Sequence, residues 1–311
     1  MPFAVMDYEL AQPIKEILTS LITNSDTGYL GNIPELTNAL SHFALSRWQW
    51  HIDQSQIKIA PDVGVGVIEI ARLLVKSGEK ILINTPVYYN FYNWIKELQC
   101  VVADAPLKEE NLQYSLDLPE IEKTYQTGVK LHILCNPHNP VGSLYRKSDL
   151  QNLAEIAKRY HVTILSDEIH APLVYSENTF IPFLSVSDTA KEVGFSFLSA
   201  TKAFNIAGLK CAQIVAQSEK NVAILNSLPT AVHSRASLFG AVASAVAYKE
   251  CNDWLDGVIR ELDLSRYYLK ELVEQFKLPI GYRVPECSYF GWLDLRSVNL
   301  SGDIAQHFIN K

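Results

Sequence analysis

The central part of the chain alternates short, continuous apolar runs with stretches that have helical periodicity. A strand that is covered on both faces shows such a continuous run, because neither face needs polar residues. Runs of this kind are predicted to be strands at residues 80–84, 130–136, 162–168, 195–200 and 211–216. Because helices are predicted between these strands, the pattern indicates an α/β fold with a doubly wound, mostly parallel sheet.

Two of the predicted helices have recognisable ends. The helix at residues 65–78 finishes with Lys76 and Gly78, and a glycine shortly after a basic residue is a common helix stop. Another helix is predicted to begin at Ser148, because Gln151 follows three residues later and completes a capping box.

The last third of the chain has a different pattern. Two long helices are followed by two strands, predicted at residues 237–250, 252–276, 282–286 and 288–296. This order suggests a smaller α+β domain, so we expect an N-terminal segment at 1–30, a large domain at 31–230 and a small domain at 231–311. The small domain has few predicted strands, and we therefore expect it to be incomplete.

Composition narrows the class of protein. The chain has 311 residues, 48% of them hydrophobic, which is enough to bury a sizeable core. The net charge is −7 and the basic residues are scattered, which disfavours nucleic acid and anionic membranes as partners. No apolar run is long enough to cross a bilayer, and no secretory signal is visible at the beginning.

The cysteines and histidines disfavour disulfides and metals. Five cysteines are far apart and form no CxxC pair, which favours reduced thiols in a cytoplasmic protein. The eight histidines form no HxH or HExxH cluster, so we expect no structural or catalytic metal.

Polar segments follow several predicted strands, where functional groups of a doubly wound sheet collect. Each has an ordinary explanation when it stands alone. The Asn-Pro pairs of "CNPHNPVG" favour turns, and Asp167 with Glu168 could begin a solvated helix. Tyr88 and its neighbour in "TPVYYNF" could be core or surface aromatics, and an isolated Lys202 in "SATK" would usually be exposed.

The spacing of these segments changes that interpretation. The distances along the chain from Asn139 to Asp167, and from Asp167 to Lys202, each fit a crossover of one helix between neighbouring parallel strands. A carboxylate, an amide, an aromatic face and a lysine on one rim are what pyridoxal phosphate requires. The carboxylate keeps the ring nitrogen protonated and the lysine forms the Schiff base, while hydroxyls, backbone amides and a cation hold the phosphate.

At these residues the chain resembles the fold-type I pyridoxal-phosphate enzymes of aminotransferase class I/II, and within them the MalY/PatB-type cystathionine β-lyases, or C–S lyases. The resemblance rests on "TPVYYNF", "NPHNPVG", "SDEIHAPLVY", "SATKAFNIAGLK" and "YFGWLDLR". It extends over nearly the whole chain, from "FAVMDYEL" to "IAQHF". Two segments, "SDEIH" and "KAFNIAGLK", favour the lyase branch.

The resemblance implies roles for residues around the cofactor ring. Lys202 would form the internal aldimine and move the proton at the substrate Cα. Asp167 would pair with the pyridinium nitrogen, and Tyr88 would stack on the ring. Asn139 and His170 would lie near the ring hydroxyl.

The resemblance also implies phosphate contacts, within a cofactor-binding domain at 31–230. Ser199, Thr201 and Lys210 match phosphate-contacting positions, and the backbone N–H groups of Val63 and Gly64 could contribute. Tyr29 resembles a tyrosine that reaches the phosphate of the neighbouring subunit, which implies a homodimer. Residues 1–30 would be the remnant of a small domain or dimer arm.

The implied activity is cleavage of cystathionine or related cysteine S-conjugates, small amino-acid substrates, to a thiol, pyruvate and ammonia in the cytoplasm. An aminotransferase of class I/II would use the same first steps. A truncated, non-catalytic or regulatory relative is a further alternative, because the chain looks short at both ends and no residue matches the arginine that binds the substrate carboxylate. Arg296 belongs to a different element and is not assigned.

One residue departs from the pattern at the phosphate cup. Relatives have glycine or serine in this segment, whereas the chain has Asp62 in "APDVGVG". A carboxylate is an unusual neighbour for a phosphate, because like charges repel. We therefore expect Asp62 to be a helix N-cap.

Overall fold

The structure is a computed structural model that describes residues 5–298 and 304–309; residues 1–4, 299–303 and 310–311 lie outside the described part. The strands are β1 Ile57–Ala60, β2 Lys80–Ile83, β3 Val101–Asp104, β4 Lys108–Glu110, β5 Gln113–Ser115, β6 Val129–Cys135, β7 Thr163–Asp167, β8 Gly194–Leu198, β9 Ala212–Val215, β10 Gly281–Tyr282 and β11 Leu293–Asp294. The helices are α1 Gln12–Thr23, α2 Pro34–Trp48, α3 Val63–Leu74, α4 Asn90–Glu97, α5 Leu118–Tyr125, α6 Lys147–Arg159, α7 Asp188–Val193, α8 Glu219–Asn226, α9 Thr230–Ser234, α10 Leu238–Glu250, α11 Asn252–Gln275 and α12 Ile304–Ile309.

A seven-stranded sheet has the order β1-β9-β8-β7-β6-β2-β3. The five strands from β3 to β8 pair in parallel, whereas β9 pairs antiparallel with both β8 and β1. The five predicted strands and the mostly parallel α/β sheet are thereby confirmed. The chain passes from β2 outward to β3 and then returns to β6 on the other side of β2. A crevice is expected at such a reversal, next to the carboxyl ends of the strands.

Apolar side chains cover both faces of this sheet, which explains the continuous apolar runs. Ile81 and Ile83 join one hydrophobic cluster with α3 and α4, whereas Leu82 joins the cluster on the opposite face. The second cluster includes buried residues of α1, α2, α6 and α10. The sheet is therefore a packed central layer, and the ends of its strands are the place where polar groups can collect.

The predicted helices of the last third are present as α10 and α11. Helix α10 packs against α1 and α2 in the same hydrophobic cluster. The two strands predicted after α11 shrink to β10 and β11, two residues each. The reason is that the backbone of residues 287–288 pairs with residues 173–174. The division of the chain at residues 30 and 230 stays a prediction.

Two predicted helix ends are wrong. Helix α3 covers Val63–Leu74 and ends before Lys76 and Gly78. Helix α6 begins at Lys147, so Ser148 lies inside it, and the N-cap has no side-chain hydrogen bond. The Gln151 side chain instead donates to the carbonyl of Val186 at 2.8 Å. Gln151 therefore makes a tertiary hydrogen bond instead of the contact that the capping box required.

All five cysteines are free thiols, and four of them are buried. Within the described ranges, no helix combines the length and the apolar character that a bilayer crossing needs.

Candidate active site

The carboxyl ends of the parallel strands bring most of the predicted site residues to one rim. Asp167 is the last residue of β7, at the centre of the sheet, and its side chain is buried. Its neighbours across the sheet are Cys135 at the end of β6 and Phe197 in β8. Lys202 follows β8 by four residues, and Asn139 follows β6 by four. The crossovers therefore converge as their spacing predicted.

Asp167 and Lys202 influence each other's protonation. Burial raises the pKa of Asp167 to about 7, against the opposing effects of the Ile169 N–H and the Lys202 charge. The Ile169 N–H donates to Asp167 Oδ1 at 3.2 Å. Burial also lowers the pKa of Lys202, which Asp167 raises and Lys210 lowers further. Burial therefore opposes the charged form of both groups, while their mutual attraction favours it.

Glu168 belongs to a different environment from Asp167 although the two are consecutive. It is completely buried, and its Oε1 accepts from the Ser166 hydroxyl at 2.9 Å and from the Phe183 N–H at 2.8 Å. Burial raises its pKa to about 8. The interpretation of this pair as a solvated helix start is therefore wrong. Glu168 therefore holds the backbone at Phe183 in place through a hydrogen bond, whereas the Asp167 side chain lies at the rim.

The turn that carries Asn139 is anchored by a thiol. The Asn139 N–H donates to Cys135 Sγ at 3.3 Å. Cys135 is buried, and burial raises its pKa above the ordinary thiol value, with Asp167 adding to the effect. The sulfur is therefore a neutral anchor between Asn139 and Asp167. Sequence reasoning treated Cys135 only as a strand residue.

His170 connects the rim with a segment that is distant in sequence. Its ring is buried, and Nδ1 lies 3.2 Å from the Ser288 hydroxyl. The ring also meets the Tyr289 and Phe290 rings edge-on, at centroid distances of 5.9 and 5.7 Å. Burial, assisted by the Lys202 charge, lowers the pKa of His170 to about 3, so the ring is neutral. The strand predicted at residues 288–296 includes these partners, but a strand pattern does not reveal a contact with His170.

Tyr88 lies in the loop between β2 and α4 and is half-buried. Its ring meets Tyr89 and Trp94 edge-on, at 5.1 and 6.2 Å. Burial raises the pKa of the Tyr88 hydroxyl, and the charges of Asp167 and Asp62 contribute. Tyr88 is therefore close enough to both carboxylates to be affected by their charges. Asp167, Lys202, Asn139, His170 and Tyr88 are called the central half of the site below.

The hydroxyls that precede Lys202 are hydrogen-bonded to each other. Ser199 Oγ and Thr201 Oγ1 are 2.8 Å apart and both side chains are buried. Ser199 donates to the Cys211 carbonyl at 2.6 Å, so Thr201 is the donor in the contact between the two hydroxyls. This pair fixes the turn that leads into Lys202.

The N-terminus of α3 forms the other side of the rim. Asp62 is its N-cap, as expected: Oδ1 accepts from the Val65 N–H at 2.8 Å. The other oxygen, Oδ2, is paired with Lys210 Nζ at 3.2 Å. Val63 and Gly64 are the first residues of the helix, so their N–H groups have no helical carbonyl to which they could donate. Asp62, Val63, Gly64, Ser199, Thr201 and Lys210 are called the α3 half below.

Packing also explains why residue 64 is a glycine. A Cβ at this position would come 3.0 Å from the Trp94 indole, closer than ordinary contacts allow. Trp94 therefore covers the first turn of α3 and links it to the Tyr88 loop.

Tyr29 and Arg296 do not join the rim. The Tyr29 side chain is 95% exposed, so its predicted contact with a neighbouring subunit stays a prediction. Arg296 forms ion pairs with Asp294 and Glu109 at 2.7 and 2.6 Å on the surface of the protein. Its guanidinium is thus engaged away from the rim, in agreement with its omission from the predicted site.

The rim can hold a ligand that has a protonated ring nitrogen, an amine-reactive group and an anionic group. Known proteins of similar sequence and fold belong to the family that the motifs resemble.

The sequence model described as "Aminotransferase class I and II" matches residues 5–308. A Mycobacterium tuberculosis relative that carries the name of a cystathionine β-lyase is 36% identical over 304 residues, covering 95% of this chain and 73% of that protein.

A second relative and a solved structure agree with this family match. "Cystathionine beta-lyase PatB" of Bacillus subtilis is 27% identical over 311 residues, covering 99% of this chain and 80% of that protein. The crystal structure of cystalysin from Treponema denticola, which contains pyridoxal 5′-phosphate, superimposes with a TM-score of 0.93 at 27% identity. It covers 99% of this chain and 78% of that one. The resemblance predicted from the motifs is confirmed.

Proposed function

Because the chain belongs to the aminotransferase class I and II family, we propose that it is a pyridoxal-phosphate-dependent C–S β-lyase. Its substrate would be cystathionine or a related cysteine S-conjugate, and the products a thiol, pyruvate and ammonia. The names of the PatB and Mycobacterium tuberculosis relatives favour the lyase over other activities of the family. The observation that carries the proposal is that Asp167 and Lys202 lie at the carboxyl ends of the neighbouring parallel strands β7 and β8.

The residues of the central half fit the cofactor ring. A buried carboxyl group whose pKa is about 7 becomes ionised when a cationic ring nitrogen lies beside it, so Asp167 would hold that nitrogen protonated. Tyr88 offers an aromatic face, and Asn139 and the neutral His170 can meet a ring oxygen. When bound, pyridoxal phosphate supplies an aldehyde for the substrate amine and a ring that accepts electron density from Cα.

Lys202 would perform the proton transfers. Burial and the charge of Lys210 lower its pKa, which increases the fraction of neutral amine available as a nucleophile and as a base. The substrate would lie with its Cα–H toward Nζ, and Nζ would take that proton. Asp167 raises the pKa of Lys202 and so keeps the amine basic enough to hold the proton. The lysine and the aspartate thus work as a pair.

An aminotransferase is the second candidate, because the family description includes that reaction. It requires the same first proton transfer, so the central half fits both. The two activities differ in their co-substrate: a β-lyase releases pyruvate from cystathionine alone, whereas an aminotransferase needs a keto acid.

The test is to reconstitute the purified protein with pyridoxal phosphate, reduce it with borohydride and map the added mass by peptide mass spectrometry. We expect the mass on Lys202 in the unmodified chain and nowhere in Lys202→Arg. We also expect pyruvate from cystathionine without a keto acid. Strict dependence on a keto acid would select the aminotransferase, and a chain that gains no mass would exclude both enzymes.

We also propose a homodimer and a cytoplasmic location. Tyr29 is exposed within one chain and would need a second chain to reach a site. The five free thiols suit a reducing compartment. Sedimentation of the chain and of Tyr29→Ala would test the first point: we expect a dimer, with cofactor affinity lowered in the variant.

A further inference from the structure

The α3 half of the site contains an anion of its own. Asp62 uses one carboxylate oxygen to accept the Val65 N–H at 2.8 Å and the other to pair with Lys210 Nζ at 3.2 Å. A helix N-terminus and an ammonium group are the two kinds of donor that bind phosphate groups in proteins. The side chain of Asp62 already occupies one N–H group of that terminus and the ammonium group.

The charge of Asp62 acts on the rim and not only on its helix. The same carboxylate contributes to the raised pKa of Tyr88, which also feels Asp167. Geometry agrees with this influence: Asp62 caps the first turn of α3, Trp94 covers that turn, and the Trp94 ring lies 6.2 Å from the Tyr88 ring. Its side chain is 37% exposed, so water screens the charge only in part.

We propose that Asp62 is an internal competitor for the phosphate group of the cofactor, and that it reduces the preference of this chain for phosphorylated over unphosphorylated pyridoxal. The proposal rests on the proposed function, namely that the rim takes pyridoxal phosphate. A bound phosphate would have to share Lys210 with the carboxylate or displace it. Like charges a few ångströms apart at a partly exposed site repel by an amount that changes affinity on the order of tenfold.

The competition has a consequence for the holoprotein. If Lys210 returns to Asp62 whenever the phosphate leaves, the cofactor-free state is stabilised by an ion pair and a helix cap. Exchange of the cofactor is then easier than in a site where the departing phosphate exposes an unpaired cation. We expect the chain to lose pyridoxal phosphate on dilution and to regain it on addition.

The substitution that isolates the charge is Asp62→Asn. Asparagine caps a helix about as well as aspartate, so the cap on Val65 can persist while the charge disappears. Asp117→Asn is the matched control, because Asp117 is the N-cap of α5 and accepts from the Glu120 N–H at 3.1 Å. Asp62→Ser provides a second variant with a capping side chain and no charge.

The experiment measures the dissociation constants of pyridoxal phosphate and of pyridoxal for each chain, by quenching of tryptophan fluorescence. Trp94 covers the first turn of α3 and is a suitable reporter. We expect Asp62→Asn and Asp62→Ser to bind pyridoxal phosphate about tenfold more tightly than the unmodified chain. Pyridoxal affinity should be unchanged, and Asp117→Asn should change neither.

Unchanged or weaker binding of pyridoxal phosphate by both Asp62 variants would overturn the inference. Equal tightening for pyridoxal would overturn it too, because the charge would then act on the ring. These failures differ from failure of the proposed function. If borohydride still attaches pyridoxal phosphate to Lys202, only the competition by Asp62 is wrong; if no chain binds either compound, both proposals are wrong.

Discussion

The two halves of the site solve the problem of buried charge in different ways. In the central half, Asp167 and His170 are buried, and burial shifts both pKa values toward the neutral form of each group. In the α3 half, Asp62 and Lys210 are 37% and 59% exposed and form an ion pair. In the central half, burial therefore opposes the charges of Asp167 and Lys202, which support each other. In the α3 half, the carboxylate of Asp62 and the ammonium group of Lys210 are exposed enough to remain charged as a pair.

This difference follows from the elements that form each half. The central half is attached to four neighbouring parallel strands, β2, β6, β7 and β8, whose ends are fixed by the register of the sheet. The α3 half joins a helix terminus to a residue in the loop before β9. Strands held in register can keep an ionisable side chain buried. A helix terminus at the surface is instead capped by a polar side chain at its first position. Under the proposed function, the central half would carry the chemistry and the α3 half would set how tightly the cofactor is retained.

The largest expected effect comes from Lys202→Ala, which removes the proposed nucleophile and base from the central half. We expect pyruvate release from cystathionine to fall by about four orders of magnitude or more. The chain should still fold, because Lys202 lies in a turn outside the core clusters. Steady-state kinetics and far-ultraviolet circular dichroism check the two parts. Substantial residual activity in a folded variant would show that another group moves the proton.

Asp167→Asn tests whether the central half depends on a charge. The amide has nearly the same shape but cannot neutralise a protonated ring nitrogen, so we expect activity to fall about a hundredfold or more. Reduction with borohydride should still label Lys202. Activity within a fewfold of the unmodified chain would contradict the assigned role of Asp167.

The same carboxyl group predicts how stability depends on pH. Burial raises the pKa of Asp167 from 3.8 to about 7 and that of Glu168 from 4.5 to about 8. In the folded chain these two groups thus hold more protons than in the unfolded chain between about pH 4 and pH 8, so their contribution to the free energy of unfolding falls as the pH rises through that window. The buried His132, His138 and His170 act in the opposite direction, because burial lowers their pKa values.

Urea unfolding of the cofactor-free unmodified chain and of Asp167→Asn, each at about pH 5 and about pH 8, would isolate the contribution of Asp167, because Glu168 and the histidines titrate in both chains. We expect the unmodified chain to lose on the order of 2 kcal/mol more than the variant over this range. The same change with pH in both chains would mean that the pKa of Asp167 is not raised in the folded chain.

The smallest effect is expected from Ser288→Ala, which removes the hydroxyl 3.2 Å from His170 Nδ1. A single neutral hydrogen bond contributes about 1 kcal/mol, so we expect a fewfold loss of activity. The affinity for pyridoxal phosphate should fall by a similar factor if His170 contacts the ring. Ser297→Ala, at an exposed hydroxyl bonded to the Pro279 carbonyl, is the control and should have no effect. A loss larger than about a hundredfold would give Ser288 a more direct role.

The sequence predicted the parallel strands and the convergence of Asn139, Asp167 and Lys202, because continuous apolar runs and crossover lengths are local properties of a chain. Strand ends differ from the predicted ones by one or two residues, as is usual for element boundaries. Helix α6 was predicted to start too late, because Gln151 has a tertiary partner that no local pattern reveals.

The contacts that were missed connect distant residues. His170 meets Ser288 although more than a hundred residues separate them, and only the fold brings them together. Burial of Glu168 was missed for a different reason. Two consecutive carboxylates at a strand end point to different sides, and the sequence alone does not say that both sides are covered. The role of Asp62 as an N-cap was predicted, but its pairing with Lys210 required the structure.

The most direct test of the central claim is peptide mapping after borohydride reduction of the protein reconstituted with pyridoxal phosphate. The account predicts one added cofactor mass per chain, on the peptide that contains Lys202, and none in Lys202→Ala. Attachment at a different lysine, or labelling of the Lys202→Ala chain to the same extent, would contradict it.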